Sequence, residues 1–120
     1  MLGRAGGART RLFRAIGEHE LDDLLRFGDY GLSRSGGGKY FALSEQGAVD
    51  FANTSINTGR RMTVTGTDVP SSFLDRGFRF FDPGGGGSSI HFEDNVLFDL
   101  YEVMSLPEIL HASWVPVIRR

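Results

Sequence analysis

Two periods of apolar and polar residues alternate along this chain, and each switch between them marks an element. Arg11–Ile16 sets charge and bulk in turn, which predicts a first strand ended by Gly17. From Glu18 to Phe27 the period lengthens, with Leu21, Leu24 and Leu25 forming the apolar face of a helix. Glu18, Glu20, Asp22 and Asp23 load its N-terminal half, where the dipole favours anions, and Gly28 is placed for a left-handed C-terminal cap. Asp29–Ser35 reads as a loop leading to three glycines, Gly36–Gly38. Lys39–Leu43 is aromatic or apolar apart from its lysine, the pattern of a short buried strand. Ser44 is then the N-cap of a helix reaching Ala52, with Ala48, Phe51 and Ala52 at helical spacing.

The second half repeats the alternation less regularly. Arg61–Thr65 reads as a period-two strand, and Asp68–Gly77 as one short helical turn begun by Pro70 and ended by Gly77. Phe78–Phe81 is extended, Asp82–Gly87 is a glycine-rich loop, and Ser89–Phe92 resumes the extended path. Asn95–Met104 carries the strongest helical pattern, with Val96, Leu97, Leu100, Tyr101 and Met104 on one face and Asp94 as its cap. Ile109–Ile118 is a final strand that Pro116 confines to an edge or a bulge.

These elements predict a single small α+β domain over residues 11–120, a core of short mixed or antiparallel strands flanked by short helices. The first strand, Lys39–Leu43 and the final strand are expected in one central region, with the helices beginning at Glu18 and Ser44 against it. Residues 1–10, small and basic, read as a flexible linker or tail.

Composition narrows the function classes. The chain has 120 residues, 17 of them glycine, and 40% are hydrophobic, as in an ordinary globular domain. A net charge of −2 argues against gripping nucleic acid mainly by charge. With no cysteine there is neither a disulfide framework nor a thiolate nucleophile or ligand, and three histidines at unhelpful spacing do not predict a metal site. No apolar run approaches the length of a membrane span. The Gly84–Gly87 run lacks the Gly-Lys-Ser/Thr ending of a phosphate-binding loop and reads as a plain connection.

Leu12-Phe13-Arg14-Ala15, followed by the acidic helix Glu20-Leu21-Asp22-Asp23-Leu24-Leu25, resembles the opening of cholera-type ADP-ribosylating toxins. Gly38-Lys39-Tyr40-Phe41-Ala42-Leu43-Ser44 is similar to their second motif, whose strand floors the NAD pocket, and Pro107, Ile109 and Trp114-Val115 resemble their closing strand. The overall pattern looks still more like the small C-terminal domains of bacterial polymorphic toxins of that superfamily. The resemblance implies an ADP-ribosyltransferase-like fold and an enzyme of the transferase class, either a transferase or an NAD glycohydrolase. Such an enzyme splits the nicotinamide–ribose bond of NAD without a metal, passing ADP-ribose to a protein, to RNA or to water. It further implies a secreted or delivered effector acting in the cytoplasm of a target cell during bacterial competition, and a cognate immunity protein as partner.

Carried over residue by residue, Arg14 matches the family's arginine, with Tyr40 and Phe41 as its cofactor-binding aromatics. Ser44, or the Tyr40-Phe41 pair, matches the second motif. The family's Glu-X-Glu or Gln-X-Glu triplet is absent from the second half of the chain; Glu93 is the first choice for the catalytic carboxylate and Glu102 the second. Without the resemblance, Arg14 reads as a solvated strand residue, Tyr40 and Phe41 as core, Ser44 as a plain cap and Glu93 as an acidic helix start. His91, on the same strand face as Glu93, reads either as an assistant to it or as an ordinary exposed histidine. Two other classes compete. A metal-independent toxin ribonuclease would draw on His19, His91, His111, Arg60 and Arg61, and a non-catalytic binding module would use the glycine loops and aromatics as a recognition surface.

Overall fold

Strand pairing here begins with β1 (Arg9–Ile16), which lies inside a six-stranded antiparallel sheet and runs two residues earlier than its alternation predicts. The computed structural model describes residues 7–82 and 87–117, so Met1–Gly6 of the expected linker and most of the Asp82–Gly87 loop lie outside it. The other strands are β2 (Lys39–Ala42), β3 (Met62–Pro70), β4 (Phe78–Asp82), β5 (Gly87–Phe92) and β6 (Glu108–Trp114). They stand in the order β4-β5-β2-β1-β3-β6. The first two expected strands are therefore central neighbours, but the last one is an edge. Pro116 predicts such an edge, but the strand ends at Trp114, before that proline, and the expected end at Ile118 lies outside the described residues. Its register against β3 slips twice, between Met62 and Val64 and again before Thr65.

Alternation along the strands divides the core between two faces. Leu12, Ile16, Phe41, Val69, Ile90 and Phe92 point to one face, where α1 (Glu18–Phe27) and α3 (Asp94–Val103) cover them with Leu24, Val96, Leu97 and Leu100. Ala15, Met62 and Val64 point to the other, where α2 (Glu45–Ala52) brings Ala48 and Ala52. Covered on both sides, β3 buries every residue from Met62 to Thr67, including three threonines. Each of those hydroxyls has a partner: Thr63 meets Ser113, Thr65 donates to the Arg14 carbonyl, and Thr67 donates to the Ser105 carbonyl.

Some ends and faces differ from the pattern. Leu25 is largely exposed, because α1 leans on the sheet through Leu24, with Leu21 partly buried beside it, and Leu25 lies about 100° around the helix from Leu24, on the far side of Leu21. Asp68–Pro70 extends β3 rather than starting a helix, since Arg9 and Thr10 continue β1 and pair with Pro70 and Val69. The 3-10 turn then covers Ser71–Arg76. The residue capping α3 is Glu93, through its carbonyl; Asp94 is already helical and accepts from the Ser33 amide instead.

Candidate functional site

The strands β1 and β2 barely touch. Against β3, β1 is paired from Arg9 to Ile16, but against β2 only the Phe13–Ala42 pair is formed. The Leu43 amide donates to the Ser88 carbonyl at 3.0 Å, which turns the backbone of Leu43, Phe41 and Lys39 toward β5 and that of Tyr40 toward β1. Where β1 draws away, a side chain takes over: Arg14 Nη1 donates to the Tyr40 carbonyl at 2.6 Å. The same guanidinium lies 5.6 Å from the centre of the Phe41 ring, which also packs against the buried rings of Tyr30 and Phe92.

Glu20, arriving from the first turn of α1, fixes this arrangement. Its carboxylate accepts from Arg14 Nε at 2.5 Å and Nη2 at 3.0 Å, and from Lys39 Nζ at 2.9 Å. Lys39 is 7% exposed and the Glu20 side chain 17%, so two cations share one carboxylate largely out of water. Burial works to raise the Glu20 carboxyl, but Arg14 and then Lys39 outweigh it, and the group is held below its usual 4.5. Arg14 is thus half-buried and paired, not the solvated strand residue its pattern gives.

Two clefts open beside this triad and share Arg14, Gly38 and Lys39. The first, about 400 Å³, is largely apolar and aromatic, with Phe13, Tyr40, Ala42, Ala48, Phe51 and Ser89 in its walls. The second, about 510 Å³, lies toward α1 and is polar, with His19, Glu20, Asp23, Arg34 and Arg60 around it. Gly38 permits both. Its φ of +76° suits glycine alone, and a Cβ there would stand 2.2 Å from the Phe92 carbonyl and 2.9 Å from Glu93 Cα.

Of the residues expected at a site, Arg14, Tyr40 and Phe41 meet at the first cleft. Tyr40 is 56% exposed and Phe41 1%, so one lines the cleft while its neighbour holds the core beneath it. The Tyr40 ring lies 4.6 Å from that of His91 and 5.8 Å from Phe80, and His91 Nε2 donates to the Gly37 carbonyl. Ser44 lies outside both linings; its hydroxyl accepts from the Gly47 amide at 3.0 Å as the cap of α2. Glu93 is exposed and outside both linings, with its backbone against Gly38 at the shared rim. Glu102 faces outward on α3.

The ribonuclease candidates scatter. His19 and Arg60 reach the second cleft, His91 stands beside Tyr40, Arg61 pairs loosely with Glu18, and His111 pairs with Glu45 at 2.7 Å. Lys39, Glu20, Phe51, Ser89 and Arg34 were not expected at a site. A lone lysine in an otherwise apolar strand was the one available signal, since such a charge is buried only with a partner. Among the described residues no three His, Asp or Glu side chains gather as a metal-holding group, and no helix is long and apolar enough to cross a membrane. No protein-family model, no curated protein and no solved structure matches this chain.

Proposed function

We propose that the first cleft binds NAD and that the chain cleaves its nicotinamide–ribose bond, as a toxin-type ADP-ribosyltransferase or NAD glycohydrolase. The observation that carries this reading is the meeting of Arg14, Tyr40 and Phe41 at one opening between β1 and β2. Tyr40 and Phe51 offer aromatic surface to a flat nicotinamide ring, and Arg14, locked by Glu20 and the Tyr40 carbonyl, offers charge to the phosphate or ribose side. Glu20 is committed to two cations, so the carboxylate that stabilises the oxocarbenium-like transition state is assigned to Glu93, which lies outside the lining with its backbone against Gly38. ADP-ribose then passes to a protein side chain, to RNA or to water. Incubating the chain with NAD and measuring free nicotinamide tests the reading: turnover is expected, and none under any acceptor condition would reject it.

A metal-independent ribonuclease is the second reading, favoured by His19, Arg34 and Arg60 around the second cleft. Loss of RNA integrity in the absence of NAD would support it. Nicotinamide release without RNA loss would reject it.

A further inference from the structure

Positive charge in the second cleft exceeds what its own carboxylates balance. Arg14, Arg34, Lys39 and Arg60 line it against Glu20 and Asp23, in a chain whose net charge is −2. Arg14 and Lys39 already share Glu20. Among the described residues neither Arg34 nor Arg60 forms an ion pair with a carboxylate; each is held by an acceptor that carries no charge.

Arg34 Nη2 lies 2.5 Å from His19 Nε2, and because a guanidinium keeps its protons, the imidazole nitrogen is the acceptor. Arg60 Nη1 donates to Asn57 Oδ1 at 3.3 Å. Asn57 is 1% exposed and its amide is tied to the Phe51 carbonyl at 2.9 Å, so the arginine hangs from a fixed point. Gly17 leaves room for it: a Cβ there would stand 3.1 Å from Arg60 Nη2. Two forks are therefore pre-oriented from separate segments, with their charge unspent and Arg14 behind them. Such forks match the paired oxygens of phosphate groups.

We propose that this cleft binds the diphosphate group of a small molecule, with Arg34 and Arg60 as its two arms. Two arms on separate segments suit two linked phosphates better than one, and the volume of about 510 Å³ exceeds what a single phosphate fills. RNA fits less well. Single-stranded nucleic acid is held by stacking as much as by charge, and the one Phe, Tyr or Trp in this lining, Tyr30, is 1% exposed. His19, already accepting from Arg34, does not offer Nε2 as a base in this arrangement. The inference rests on the arginines and not on the NAD reading, since any diphosphate would be held alike.

Calorimetric titration of the full chain with inorganic pyrophosphate tests it. Saturable binding is expected, weakening as salt rises from about 0.05 to about 0.5 M. Arg34→Gln and Arg60→Gln should each weaken it about tenfold, the scale of one charge-assisted hydrogen bond, with Arg60→Lys in between. Arg61→Gln, outside the cleft, should bind like the parent, and circular dichroism melts confirm that each variant is folded. Absent binding, unchanged affinity in both glutamine variants, or displacement of pyrophosphate by a tighter-binding short single-stranded RNA would each overturn the proposal. Pyrophosphate binding in a chain that releases no nicotinamide would leave it standing and remove the NAD reading.

Discussion

Glu20 is the residue on which the site's geometry turns. Glu20→Gln leaves a buried lysine and a half-buried arginine short of their shared carboxylate, and is expected to cost about 3 kcal/mol in urea denaturation. A loss below about 0.5 kcal/mol would mean that solvent already screens the triad. Its carboxyl titrates lower in the folded chain than in the unfolded one. The stability it contributes is therefore fully present above its usual 4.5 and is lost as pH falls through the folded value. The parent should lose stability below that pH more steeply than Glu20→Gln; parallel curves would remove the carboxylate from the account. Arg14→Ala should both lower the melting temperature and weaken NAD binding about tenfold or more, because the guanidinium holds the Tyr40 carbonyl and, on the proposed reading, the ligand as well. Unchanged NAD affinity would take Arg14 out of the site. Glu93→Gln keeps shape and removes charge; it is expected to lower nicotinamide release by about two to three orders of magnitude while NAD still binds. Glu102→Gln should be near silent, and a reversal of the two results would move the assignment to α3's outer face.

At the scale of elements, the local signals and the long-range pairings carried different information. The Ser44 cap, the Gly28 left-handed turn and the face of α3 were readable because each depends on neighbours within four residues. Ser44→Ala should accordingly cost about 1 kcal/mol of stability. Lost NAD cleavage in a chain that remains folded would return the hydroxyl to the site. What pattern could not supply was pairing. Asp68-Val69-Pro70 has the residues of a helical start, but strand partners in β1 sixty residues away hold it extended. The same limit hid the site. Arg14, Tyr40 and Phe41 were reached through short motifs, whereas Glu20 looked like any acidic residue near a helix N-terminus and Arg34 like any loop arginine. Only the splay of β1 from β2 and the lie of α1 across it bring those charges to one opening.

The whole molecule is acidic, yet the two clefts beside the triad meet at Arg14, Gly38 and Lys39, and the second sets four cations against two carboxylates. An excess of cations at a cleft attracts anions, which suits an anionic nucleotide to this opening better than to the outer faces. Titrating the chain with NAD while following backbone amide chemical shifts is the most direct check. The account predicts saturable shifts gathered at Arg14, Ala15 and the Gly38–Ala42 segment, with α3's outer face and β6 unmoved. No shifts, or shifts gathered away from the β1–β2 opening, would contradict it.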